Sequence, residues 1–409
     1  MRESANRRRG QGAGPPGALG QNGWWGRERV AVRAWLWGGA PLPFWRSDNV
    51  CAQGNLCCRS GVAGAFFALV LAQVSVLGMG AEALPAGVAG SDWCTSPTFA
   101  GWVADPVWNE FVTTFTLLDG VVVHVNAPAQ MCARRAAPTR LVLYALPNGN
   151  SIAWTVGKRV EPGDDWHFGI QHIGAQARLA RKLSPEENIV VAYAEAPGRS
   201  WPAWRRKHGE KAPQLARKLV EQVARRFTAW RPQIELVAHS GGGSLLFAFI
   251  EEGDEISSEV RRFVFLDANY GFSQEAGHGA RLAQWLHDSP DRVLVVAAYD
   301  DRGVTLNGKP VVGPTGGTWR ATQRLMADLG ARDGLTTVTV GELVDVRGFG
   351  GRLRVALHRN TERRILHTVL VERNGFVWGV LAATLAEARA PAFFSEPAYG
   401  RLLGGSERP

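Results

Sequence analysis

A short apolar run, Ile234-Glu235-Leu236-Val237-Ala238-His239, leads into Ser240. Gly241-Gly242-Gly243 follow, and then a second apolar run, Ser244-Leu245-Leu246-Phe247. A serine at a strand-to-helix junction sits on a sharp turn with its hydroxyl pushed clear of the backbone. The glycines make that turn sterically possible, and the new helix brings its unbonded N–H groups and positive dipole end beside the oxygen. Such a hydroxyl is placed to attack an acyl carbon. The reaction then needs a base to take the hydroxyl proton, an acid to orient that base, and N–H donors to hold the oxyanion.

The segment Ala238-His239-Ser240-Gly241-Gly242 resembles the Gly-x-Ser-x-Gly nucleophile elbow of the α/β-hydrolase superfamily, with alanine for the first glycine. The resemblance covers roughly residues 109–390. It implies that an acid and then a histidine follow the serine, each at the carboxyl end of a later strand. For the acid, Ala298-Tyr299-Asp300-Asp301-Arg302-Gly303-Val304 resembles the superfamily's Gly-x-x-Asp-x-x-Val, again with alanine for glycine. Asp301 is therefore the first choice and Asp300 the close alternative. Asp267, which ends Phe265-Leu266-Asp267, is the third, because some members place the acid there; it reads more readily as a loop cap after its strand. For the base, His367 with Glu372 five residues on resembles the His-x-x-x-x-Glu near the end of many members, and His358 is the competitor. The oxyanion donors implied are the N–H of Gly241 and that of Asn150, which follows Asn148-Gly149 where relatives often carry His-Gly. His239 reads as structural.

Around these residues, strand-like and helix-like patterns alternate from about Asn109. Phe111–Leu117 and Val121–Asn126 flank Asp119-Gly120, a strong two-residue hairpin turn. Apolar strands are expected at Leu141–Leu146, Ile189–Ala194, Ile234–Ala238, Phe263–Leu266 and Val293–Ala298, and a more exposed edge strand at Arg352–Leu357. Helices are expected at Ile170–Leu183, Glu210–Trp230, Gly241–Ile250 and Phe376–Ala386. A hairpin followed by βα repeats predicts an α/β fold, a mostly parallel, doubly wound sheet with helices on both faces. Arg302–Gly351, rich in glycine, reads as a lid or excursion over the site. The tryptophans of Ser200-Trp201-Pro202-Ala203-Trp204 follow a strand at the active-site edge, so Trp201 and Trp204 either stack on substrate or pack in the core.

At 409 residues, with 45% hydrophobic and 20% charged residues, the chain suits one large α/β domain rather than a disordered one. The net charge of +9 is mild, over half of it comes from residues 1–83, and no basic stripe interleaved with aromatics points to nucleic acid. Gly61–Gly80 is uncharged and mostly apolar, Arg59 precedes it, and Ala81-Glu82-Ala83 follows as a small-x-small site. That is the layout of a signal peptide, within residues 59–83, behind an extension over residues 1–58 that suggests a mis-assigned start. An uncleaved membrane anchor over residues 61–80 is the alternative. Residues 84–108 read as a lead-in and 391–409 as a tail. Of five cysteines, Cys51, Cys57 and Cys58 lie upstream of the expected cleavage, leaving Cys94 and Cys132 as a disulfide for an oxidising compartment. Asp164-Asp165-Trp166-His167 and Gln171-His172 match no ligand spacing, so neither a metal nor a cofactor is expected.

The expectation is a secreted or periplasmic serine hydrolase that cleaves a small-molecule ester through an acyl-enzyme on Ser240, with His367 as base and Asp301 as orienting acid. A peptidase or amidase with the same triad is the first alternative, and a binding protein of the same fold without catalysis is the second. Oligomeric state is not legible.

Overall fold

The computed structural model describes residues 101–404, Pro106 excepted. The extension, the leader, Cys94 and residues 405–409 lie outside the described residues.

Thirteen strands lie among the described residues: β1 (Val103–Asp105), β2 (Glu110–Thr116), β3 (Val122–Pro128), β4 (Thr139–Ala145), β5 (Asn188–Glu195), β6 (Gln233–His239), β7 (Val260–Leu266), β8 (Val293–Tyr299), β9 (Thr305–Leu306), β10 (Lys309–Pro310), β11 (Thr336–Val340), β12 (Leu343–Gly348) and β13 (Leu353–His358). All but the β9–β10 hairpin join one sheet in the order β1-β2-β3-β5-β4-β6-β7-β8-β13-β12-β11. The run from β5 through β4, β6, β7 and β8 to β13 is parallel, and the flanking pairs are antiparallel. The β2–β3 hairpin turns at Asp119 (φ 57°) and Gly120 (φ 83°), the left-handed pair that a tight hairpin demands of Asp-Gly.

The central strands are buried on both faces, as a parallel sheet requires. Along β4, Leu141, Leu143 and Ala145 feed one core while Val142 and Tyr144 feed the other. The first core is closed by helices α3 (Trp201–His208), α4 (Ala212–Arg225), α5 (Gly243–Glu251), α6 (His278–Asp288) and α7 (Thr318–Gly330). The second is closed by α2 (Ile173–Leu183), α8 (Val369–Glu372) and α9 (Gly375–Leu381), and the short α1 (Ile152–Val156) follows β4. This crossed strand order, with an antiparallel hairpin leading into a parallel sheet and a strand–serine–helix turn after β6, is the α/β-hydrolase fold.

Three expectations change. Residues 353–358 form an interior strand, because β12 and β11 continue the sheet beyond it; its one charged side chain, Arg354, is half-buried and pairs with Glu387 at 3.0 Å. Residues 302–351 are mostly part of the body: α7 buries Ala321, Leu325 and Leu329 in the first core, and only the β9–β10 hairpin stands apart as an excursion. Residues 391–404 do not trail away, since Tyr399 and Leu402 pack against Ala175 of α2.

Candidate active site

The carboxyl ends of β6, β7, β8 and β13 bring the chemical residues to one edge of the sheet. Ser240 follows β6 with φ 54°, a left-handed conformation that is strained for a side-chain-bearing residue and marks a sharp turn. A short 3₁₀ turn, Ser240–Gly242, then opens α5. The turn has no spare room. A Cβ on Gly243 would stand 1.7 Å from the carbonyl oxygen of Ala268, and one on Gly242 would stand 2.2 Å from that of Ala145. The elbow is thus wedged between the end of β4 and the loop after β7.

That loop carries Asp267, also left-handed at φ 47°, with its N–H bonded to Ala297 of β8. Its side chain is fully buried and meets His367: Nδ1 lies 2.5 Å from Oδ2. The carboxylate accepts, so Nδ1 carries the proton and Nε2 keeps the lone pair. The Thr318 hydroxyl donates to the other carboxylate oxygen, Oδ1. Tyr270 stands edge-on to the His367 ring, with its hydroxyl 3.5 Å from Nδ1 and within hydrogen-bonding reach of Asp267; burial and the two nearby aspartates push that phenol well above its ordinary pKa.

His367 lies in the loop after β13, and Asn360 shapes that loop. Its carboxamide donates to Asp300 O and Arg364 O at 2.9 Å each and accepts the Arg364 N–H at 3.0 Å. The ring of His367 lies over that of His239, with centroids 4.6 Å apart. His239 Nε2–H donates to the His367 carbonyl at 3.1 Å, and burial holds its imidazole neutral, well below the ordinary pKa. The residue read as structural therefore holds His367 beside the end of β6 by ring contact and hydrogen bond.

The acid expectation is corrected. Asp301, the first choice, ends the strand next to Asp267 and is buried, but its Oδ2 accepts the Thr318 N–H at 2.8 Å, and Asp267 holds the histidine. Asp300 turns outward, and its carboxylate pairs with Arg302 at 2.7 Å. His358 is occupied elsewhere, its Nδ1 accepting the Asn360 N–H and its ring packed on Phe394. Trp201 and Trp204 do not present their faces to a ligand. Ser200 caps α3 and Pro202 follows in its first turn, so the two indoles fall on one helix face, buried in the first core 5.5 Å apart. In the loop after β4, the Asn148 carboxamide packs on Gly241, the Gly149 N–H is bonded to Arg199 O at 2.9 Å, and the Asn150 N–H makes a long contact of 3.4 Å with Pro147 O. Cys132 follows the short 3₁₀ turn Ala129–Met131; its expected partner, Cys94, is outside the described residues.

Sequence reasoning missed Thr318 and Tyr270. Tyr270 carried a weak signal, three residues beyond an aspartate that ends a strand. Thr318 carried none, because it reaches Asp267 only across the fold.

The chain matches no protein-family model and no curated protein. Among solved structures it is similar to a siderophore hydrolase from Aspergillus nidulans, at 11% identity over 68% of this chain and 95% of that one, with a TM-score of 0.36. It is also similar to an S-formylglutathione hydrolase from Agrobacterium tumefaciens, at 12% identity over 64% and 91%, TM-score 0.33. A third is a cold-adapted esterase from an Arctic intertidal metagenomic library, at 16% identity over 56% and 84%, TM-score 0.33.

Proposed function

We propose that this protein is a serine hydrolase that cleaves carboxylic esters through an acyl-enzyme on Ser240. The observation that carries this is the 2.5 Å contact of His367 Nδ1 with the buried Asp267 carboxylate, on a ring packed against His239, the residue before Ser240. With Nδ1 protonated, Nε2 takes the Ser240 proton as the hydroxyl attacks the ester carbonyl. Asp267 keeps the tautomer and stabilises the imidazolium that forms. The N–H of Gly241, and that of Asn150 once it exchanges its long contact with Pro147, hold the oxyanion. The imidazolium then protonates the departing alkoxide. Water repeats the sequence on the acyl-enzyme and releases the carboxylic acid.

A fluorophosphonate probe is expected to label Ser240, and Ser240→Ala to abolish labelling; a variant that still labels rejects the assignment. Parallel assays on aryl esters and aminopeptide anilides separate an esterase from an amidase, and turnover of the anilides alone would replace the ester reading.

A further inference from the structure

The mechanism above leaves a second carboxylate, Asp301, unused beside the first. Asp301 is 1% exposed, its Oδ2 takes the Thr318 N–H at 2.8 Å, and its Oδ1 is buried without a hydrogen-bond partner. Thr318 opens α7 and touches both acids, its N–H bonded to Asp301 and its hydroxyl to Asp267. The same helical turn is tied back to the acid loop a second time. The Thr322 hydroxyl donates to Thr318 O at 2.8 Å and accepts from the Asn269 carboxamide, also at 2.8 Å. The approach is close: Gly317 has φ 95°, and a Cβ there would stand 2.4 Å from Asp301 Oδ2.

We propose that Asp301 is a positioning residue for the proton relay: through Thr318 it fixes the Asp267 carboxylate behind His367, and its negative charge favours the His367 imidazolium. The inference rests on the serine-hydrolase reading above. Capping α7 does not by itself call for an aspartate, since asparagine, serine or threonine caps a helix without a buried charge. The charge here is costly. Burial and the neighbouring Asp267 push the Asp301 carboxyl up to about 6. The other groups facing it are the phenols of Tyr270 and Tyr299, the Asp300 carboxylate, and the Arg302 guanidinium that pairs with Asp300. None of these caps Oδ1 with a donor. Above pH ~6 the His367 ring has one carboxylate in contact, Asp267, and a second, Asp301, bonded to the same Thr318 that holds the first.

The sign follows. An asparagine at 301 keeps an acceptor for the Thr318 N–H but removes one negative charge. The imidazolium is then less favoured, so the acid limb of the pH–rate profile moves to lower pH while the plateau rate falls.

The test is the second-order rate of Ser240 labelling by a fluorophosphonate on the full chain, followed from about pH 5 to 9. Asp301→Asn is expected to lower the plateau roughly tenfold and to move the acid limb down by about half a unit, with its fold checked by thermal melting. Thr318→Val is expected to lower the plateau, and Thr318→Ser to restore it. An Asp301→Asn protein with the wild-type limb overturns the proposal, whether or not its plateau falls, because a helix cap alone moves no limb. Should that variant not fold, the Thr318 pair decides: Thr318→Val labelling at the wild-type rate overturns it. The two readings fail differently. An unlabelled wild-type Ser240 removes the nucleophile itself, whereas a labelled wild type with an unmoved Asp301→Asn limb removes only the role given to Asp301.

Discussion

His367 Nδ1 sits 2.5 Å from Asp267 Oδ2, and Asp267 directly follows β7, one strand before the one that Asp301 follows. The side chain that orients the imidazole is thus fully buried, whereas the ring it holds reaches the rim of the site. Exchanging Asp267 for asparagine leaves the shape and removes the obligatory acceptor, so Nδ1 loses its hold on the proton. Steady-state assay of Asp267→Asn is expected to show kcat lower by about 10²–10⁴ with a small change in KM. A loss below threefold would mean that Asp267 is not the orienting acid.

Asp301 also sets a pH dependence of stability. Its carboxyl titrates at about 6 in the folded chain against 3.8 for the ordinary group, so the folded state binds that proton more tightly than the unfolded state. The contribution favours folding below pH ~4 and is lost as the pH rises through about 6. Asp301→Asn removes this penalty at neutral pH. The variant's Tm relative to wild type is expected to rise between pH ~4 and ~7, by the equivalent of about 1–3 kcal/mol. A difference that stays flat across that range contradicts the shift.

The elbow offers a steric test. A methyl on Gly243 would be driven into the Ala268 carbonyl, a backbone atom of the loop that begins with Asp267. Gly243→Ala is expected to cost about 1–3 kcal/mol or more in thermal unfolding and to slow labelling of Ser240, because relief of the clash must move the elbow or the acid loop. Unchanged melting and labelling would show that the turn is looser than the contact implies.

Stability far from the chemistry is concentrated on Glu235. Buried in β6, it holds Arg140 through two contacts at 2.8 and 2.9 Å and Arg262 at 3.3 Å. Arg140 and Arg262 in turn donate to the carbonyls of Val380, Gly379 and Ala382 at the end of α9. Glu235→Ala leaves buried Arg262 without its carboxylate contact and Arg140 with Glu187 at 3.2 Å, and is expected to cost about 3–5 kcal/mol in denaturant unfolding. The labelling rate of the protein that remains folded should match wild type.

Local signals in the chain were strong wherever one segment alone decides its conformation. Asp119-Gly120 specifies its hairpin through two left-handed residues, and the apolar runs of β4 through β8 can lie only in a sheet covered on both sides. Residues 353–358 misled because alternating charge looks the same on an edge strand as on an interior strand, and the pairing of β13 with the β11–β12 hairpin just before it is a matter of tertiary arrangement. Trp201 and Trp204 misled because an indole pair three residues apart fits a binding ledge or a core, and the difference is which face of α3 meets the sheet.

Ser240, its glycines and the order of the strands that follow were settled by the amino-acid sequence, since a strand-to-helix turn is built from adjacent residues whose sterics act over a few bonds. Which aspartate holds His367 was settled only by the tertiary structure. Asp267 and Asp301 each follow a strand, and the residues around Asp301 pointed to it rather than to Asp267. What separates them is α7, whose first residue bonds Asp301 through its N–H and Asp267 through its hydroxyl, together with the His367 loop, which comes within hydrogen-bond distance of Asp267 once the sheet is assembled.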